Sequence, residues 1–221
     1  MLNEKKPLVL IGGGGHAGVL LDILLSQGRD ILAVISPDNI SARSVFACIP
    51  HFTQDKDINR FLPDSVRLVN GIGMMPGSSI RKNVTEKFLA LGYEFETVIS
   101  SEAFISPFAE IGSGVQILTK AVVQTGARID EHSIINSGVI IEHDANISSY
   151  CHMAPNSTIC GQATVASCVF VGANATVIQS IRIRQGAVVG AGVTLTVDLQ
   201  EGDTAYPIRP YIQSRKLTES E

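Results

Sequence analysis

Residues 135–153 read INSGVIIEHDANISSYCHM, and their spacing decides the fold. Ile135, Ile141, Ile147 and Met153 stand six apart. Four places after the first three come Val139, Ala145 and Cys151, all small or β-branched. Carried outward, the count does not break: every sixth residue from Ile99 to Leu195 is Ile, Val, Leu or Met. The companion positions from Ala103 to Val193 are nearly all small or β-branched. A half-buried strand repeats at two and an amphipathic helix at 3.6. A fixed period of six predicts a solenoid, the hexapeptide repeat of a parallel β-helix. Each repeat supplies one short strand and one turn, and three close a triangular coil. Coils then stack at about 4.8 Å.

The repeat occupies residues 98–196, and the texture on either side differs. Residues 7–14 are an apolar strand running into Gly12-Gly13-Gly14-Gly15. His16 to Leu25 has helical periodicity, with Gly28 placed to end it. Ile31–Ile35 reads as a second strand and 65–71 as a third, after a short polar helix near 55–61. Residues 79–91 read as a helix with Ile80, Val84, Phe88 and Leu91 on its apolar face. Strands alternating with helices indicate a Rossmann-like α/β domain over residues 1–97. Residues 197–221, polar and containing Pro207 and Pro210, read as a cap for the far end of the solenoid.

Composition narrows the function. The chain of 221 residues is 45% hydrophobic and only 5% aromatic with no Trp, so its core is aliphatic and small. With net charge −4 and no basic run, dedicated nucleic-acid binding is not expected. No stretch approaches the roughly 20 apolar residues that cross a bilayer. Lys5-Lys6 and the short apolar run after it read as the first strand, not a signal peptide, and the expected location is cytoplasmic. Cys48, Cys151, Cys160 and Cys168 show no metal or redox spacing and read as reduced thiols.

Two places carry chemistry. His143 lies two residues after the inward Ile141, hence in a turn, between Glu142 and Asp144. A histidine is neutral near pH 7 and can take a proton, and an adjacent carboxylate can fix its tautomer. Alone, this is also what a solvated polar turn looks like. Cys151 occupies an inward position, which argues against an acyl-carrying thiol and against zinc held with His143 and His152; no metal is expected. The second place, Gly13-Gly14-Gly15-His16-Ala17-Gly18, matches GxGxxG between a strand and a helix and suits a phosphate. A dinucleotide would want an acid at the second strand's end, where Ser36-Pro37-Asp38 stands instead.

These residues together with Asn70-Gly71-Ile72-Gly73, Arg81 downstream and Asn136 to Asp144 resemble the NeuD-like family of bacterial left-handed β-helix sugar acetyltransferases. The resemblance covers nearly the whole chain. It implies a left-handed solenoid, acetyl-CoA as co-substrate and a homotrimer with shared sites. It implies that residues 1–97 bind a nucleotide sugar through Gly13, Gly14, Gly15 and His16. His143 would be the general base and Asp144 its helper. Asn136 and Glu142 would meet the acceptor. His152 would give a hydrogen bond to the acetyl carbonyl, and Gly172, Ala173 and Gly190 would lie along the coenzyme's amide-rich arm. The reaction implied is N-acetylation of a nucleotide-linked 4-amino-4,6-dideoxy sugar in surface-glycan synthesis. The alternatives are O-acetylation of sialic acid or another sugar, a non-catalytic scaffold binding sugar nucleotides, and a dinucleotide-dependent sugar enzyme. Three stretches depart from relatives: Ser36-Pro37 where acidic residues often stand, a longer loop at 74–79, and Ala205-Tyr206-Pro207-Ile208 in place of a Gly-x-Pro-Ala turn.

Overall fold

A computed structural model describes residues 5–208. The N-terminal sheet has four parallel strands in the order β3-β2-β1-β4: β1 (Leu8–Ile11), β2 (Ile31–Ile35), β3 (His51–Phe52) and β4 (Arg67–Asn70). Strand β1 is buried throughout, as a central parallel strand covered on both faces must be. Helix α1 (Gly15–Ser26) covers one face, packing Leu20, Leu21 and Leu24 on Leu8, Leu10 and Val69. Val98 and Leu118 of the solenoid join that cluster, so the domains share a core. Helix α2 (Ile80–Ala90) covers the other face through Phe88.

Two expectations are corrected. The stretch read as the third strand is the fourth, because the two-residue edge strand His51–Phe52 precedes it and is too short to show a pattern. The buried face of α2 is Arg81, Thr85 and Phe88, while Ile80 and Leu91 are 62% and 52% exposed. Polar contacts turn the helix. Arg81 Nη1 donates to the carbonyls of Asn70 and Ile72, and Asn70 Nδ2 donates to Thr85 Oγ1.

From Val98 onward, two-residue strands form three parallel stacks of five, seven and six. Ile117, Ile135 and Met153 lie in register, one coil apart, pointing into an aliphatic core that also holds Val139, Ala145 and Cys151. The corners take left-handed backbone at six-residue intervals. Glycine serves some of them (Gly126, Gly138), but Asp144, Tyr150, Asn156, Gln162 and Cys168 adopt it too. Such a conformation costs about 1–2 kcal/mol for an L residue. Each of these residues sends its N–H to a carbonyl on the coil before, as Asp144 does to Thr125 and Gln162 to His143. Past 196 the chain makes one more, shorter coil. Leu199 bridges to Ile183, and Thr204–Ala205 adds a strand beside Val188–Val189. Pro210 lies outside the described residues.

The three outer faces differ. Glu110, Arg128, Asn146, Thr164 and Arg182 make one polar. The second presents Gln116, Ile134 and His152, all buried against the N-terminal domain. The third carries Phe104, Val122 and Ile140 in a row, with Phe104 56% and Ile140 36% exposed.

Neighbours on opposite sides of one strand should therefore respond differently. Ile141 is fully buried. Ile141→Ala should destabilise by about 2–5 kcal/mol, as large-to-small core changes do. Ile140→Ala should change the urea midpoint of the single chain little. Equal losses would contradict the inward–outward assignment.

Candidate functional site

A cavity of about 830 Å³ opens where the two domains meet. The Gly loop forms one wall, with Ser36, Pro37 and Asp38 beside it. Ile72 to Met75 form another, and Leu118, Asn136, Ser137 and His152 of the solenoid close it. The volume is that of a typical small-molecule site.

The four glycines of the loop do different things. Gly12 has φ +98°, which an L residue rarely adopts. A Cβ at Gly13 would meet Ile40 and the Ser36 side chain, so packing of the loop on β2 requires glycine there. At Gly14 and Gly15 a Cβ would meet nothing within 4 Å. The free space there belongs to the cavity, at the N-terminus of α1, where backbone N–H groups and the helix dipole favour an anion.

His16 follows on α1. Its Nε2 lies 2.7 Å from Gln116 Oε1, while Gln116 Nε2 donates to the Asn70 carbonyl at 2.8 Å. That fixes the amide of Gln116, so His16 carries its proton on Nε2 and keeps Nδ1 as an acceptor. Burial, with the Arg81 charge nearby, lowers its pKa to about 4.

His152 is a strand residue packed under the N-terminal domain, not a surface turn residue. Its Nδ1 donates to the Met74 carbonyl at 3.1 Å, since a carbonyl can only accept. Nε2 is then the lone-pair nitrogen, and it accepts from Asn136 Nδ2 at 3.1 Å. The orientation of Asn136 is fixed in turn, because its Oδ1 accepts from the Ser137 N–H at 2.8 Å. Burial lowers the pKa of His152 to about 4. Within this chain both ring nitrogens of His152 are engaged, Nδ1 by Met74 and Nε2 by Asn136. Asn136 and His152 form one fixed pair on the cavity wall.

Glu142, His143 and Asp144 lie on the next corner of the solenoid, seven residues beyond Asn136, and are not among the residues lining the cavity. The His143 ring is half exposed, and its Nδ1 lies 2.9 Å from Asp144 Oδ2. A carboxylate accepts, so Nδ1 carries the proton and Nε2 keeps its lone pair, with no hydrogen-bond partner among the described residues. The left-handed backbone of Asp144 (φ +59°) turns its side chain back onto the ring. Gly161, one coil on, provides the room: a Cβ there would come 2.6 Å from His143 Nε2.

Gly172, Ala173 and Gly190 stand on later coils above Asn136 and Ser137. The two glycines do not have positive φ. A Cβ at Gly172 would come 2.5 Å from the Ala191 nitrogen, and one at Gly190 would come 2.8 Å from the Ala205 carbonyl. Tight stacking of the next coil, not a special φ, requires glycine. Cys151 points inward, and burial pushes its thiol up to about 12. It packs; it is no nucleophile at neutral pH.

The sequence reading missed Gln116, Leu118 and Met74. Gln116 and Leu118 flank an inward residue on a covered face. The signal was a second period, one coil long: Gln116, Ile134 and His152 face outward on one side, and Glu110, Arg128 and Asn146 on another.

A family model described as the PglD N-terminal domain matches residues 7–88. Among solved structures, a histidine variant of perosamine N-acetyltransferase from Caulobacter crescentus, in complex with CoA and GDP-perosamine, is 28% identical. The alignment covers 90% of this chain and 92% of that one, with a TM-score of 0.81. The acetyltransferase domain of PglB from Neisseria gonorrhoeae FA1090 is 26% identical, covering 90% and 96% of the two chains, with a TM-score of 0.79. Among curated proteins, the bifunctional protein GlmU of Marinobacter nauticus is 24% identical over 174 residues, or 67% of this chain and 36% of that protein. The chain spans less than half the length of the curated relatives it matches. The solved neighbours are left-handed β-helix acetyltransferases, and the solenoid has their fold.

His16 and His152, both with lowered pKa, give the domain junction a pH dependence. Both are neutral above pH 6.5 whether folded or not. Between about 6.5 and 4 the unfolded chain binds protons that the native one refuses. Stability is therefore complete above 6.5 and falls as pH drops through that window, by up to roughly 3 kcal/mol per histidine. Urea midpoints should fall from about pH 7 to about pH 4.5, and His16→Gln should flatten the slope. A midpoint constant over that range in the unaltered chain would contradict both assignments.

Proposed function

We propose that this chain, a member of the NeuD-like family of left-handed β-helix sugar acetyltransferases, transfers the acetyl group of acetyl-CoA directly to the 4-amino group of a nucleotide-linked 4-amino-4,6-dideoxy sugar. The observation that carries the reading is the His143–Asp144 pair. It leaves Nε2 with its lone pair and no hydrogen-bond partner among the described residues, on the coil whose neighbouring corner walls a nucleotide-sized cavity. The likeness to an enzyme crystallised with CoA and GDP-perosamine supports the substrate class.

Acetyl-CoA supplies the acyl group as a thioester. His143 Nε2 takes the proton from the sugar amine as its nitrogen forms the new bond to the acetyl carbon. Asp144 stabilises the imidazolium that results and holds the ring in place. The C–S bond breaks, and the imidazolium is positioned to return a proton to the departing sulfur. The Gly loop and the α1 N-terminus hold the diphosphate. His152 and Asn136, locked to each other, give the acceptor a rigid wall rather than a proton.

Within one chain, His143 stands outside the cavity, so the complete site needs a second copy. The uncovered row of Phe104, Val122 and Ile140 lies on the face that ends at the His143 corner. Packing three solenoids through this face closes a cyclic trimer and creates grooves beside His143, lined by Gly172, Ala173 and Gly190 on the neighbouring edge.

Thiol release from acetyl-CoA should be measured against UDP-, GDP- and dTDP-linked 4-amino sugars and free sialic acid. Turnover with a 4-amino sugar nucleotide is expected, and turnover with sialic acid alone would replace this reading by O-acetylation. His143→Ala should lower the rate by about 10²–10⁴ with folding intact. Gly161→Ala should do part of the same by displacing the ring, with kcat falling more than KM rises. A His143→Ala protein keeping more than half its turnover would remove the base.

Assembly has its own test. Ile140→Asp should give monomers in light scattering, with unchanged circular dichroism and no activity. An active monomer would refute the shared site.

A further inference from the structure

Arg81 is the least explained residue of the N-terminal domain. It is 4% exposed, and no carboxylate forms an ion pair with it among the described residues. Nη1 is satisfied by two carbonyls, but Nε is sealed from solvent with no partner, and Nη2 donates to no group. A buried, uncompensated cation is expensive, and burial lowers its pKa to about 9. Buried charges are retained where something pairs with them.

The side chain lines a separate cavity of about 190 Å³, on the far side of the 74–79 loop from the large one. Its other walls are Met74, which it shares with the large cavity, Ser78, Ser79, Lys82, Tyr150, Cys168 and glycines of the loop and solenoid. This is also the N-terminus of α2, an 11-residue helix with no acidic residue in its first turn. Ser79 at its start makes no capping bond, and the amides of Arg81 and Lys82 have no acceptor among the described residues. Lys82 Nζ stands 5.5 Å above the Tyr150 ring and 3.7 Å from Glu86, the nearest acid on the helix. A buried guanidinium without a carboxylate, a lysine and two serines thus line one small space, at the start of a helix whose first amides have no acceptor among the described residues.

We propose that this cavity is a second anion site, built for a phosphate-type oxyanion. It is too small for a nucleoside, shares only Met74 with the acceptor cavity and does not include the His143 turn. It does not depend on the acetyl-transfer reading. Free phosphate and the phosphate of a larger ester share this chemistry. Methyl phosphate binding as tightly as inorganic phosphate assigns the ester, and weaker binding assigns the free ion.

The test is calorimetric titration of the full chain with inorganic phosphate at constant ionic strength. The α1 loop also attracts phosphate, so Gly14→Val, whose side chain fits the fold but fills the loop's approach, is titrated alongside. Saturable binding should survive Gly14→Val. It should weaken about fivefold in Lys82→Met, the loss of one partly exposed charged partner. Arg81→Met should abolish it; should that variant fail to fold, Lys82→Met decides. No saturable binding across the millimolar range overturns the site. So does binding that disappears in Gly14→Val and is unchanged in Lys82→Met.

Discussion

The carbonyl oxygen of Asn70 is the point on which the two domains close. It ends β4, and two donors from different parts of the chain meet there: Arg81 Nη1 from α2 and Gln116 Nε2 from the solenoid. The side chain of the same residue caps the turn through the Ile72 N–H and reaches Thr85. The bonds to the Asn70 carbonyl are buried, so losing one partner there strands a buried polar group at a cost of about 1–3 kcal/mol. The cavity between the domains inherits this rigidity. Its Ile72 to Met75 wall hangs from Arg81 and is pinned at the other end by His152.

Three histidines then differ only by environment. His16 and His152 sit at the seam between the domains, where burial favours the neutral ring and neighbours dictate the tautomer. His143 sits in water, held by one carboxylate. The first two are wall, with protons fixed by geometry. The third holds its Nδ1 proton on Asp144 and has no partner for Nε2 among the described residues.

The solenoid was legible because its restraint is local: an inward position every sixth residue leaves no freedom of choice, so Ile99 through Leu195 spell it out. The Gly loop was legible for the same reason, though only the structure separates Gly12 and Gly13, which the fold needs, from Gly14 and Gly15, which it does not. What depended on contacts between distant segments was hidden. The face of α2 followed Asn70 rather than its own apolar stripe. The role of His152 turned on the Met74 carbonyl, 78 residues away. The edge strand His51–Phe52 exists only because β2 offers it a ladder.

The left-handed corners have a kinetic side. Nearly every solenoid contact joins residues one coil apart, as Asp144 to Thr125 and Gln162 to His143. Closing so short a loop loses little chain entropy, so coils can be added one upon another from any nucleus. The N-terminal sheet is different: β4 waits for β1, and Asn70 waits for Gln116. Topology of that longer range assembles more slowly. The solenoid is thus the template, and docking of the α/β domain, with the cavity it creates, is the late event in folding.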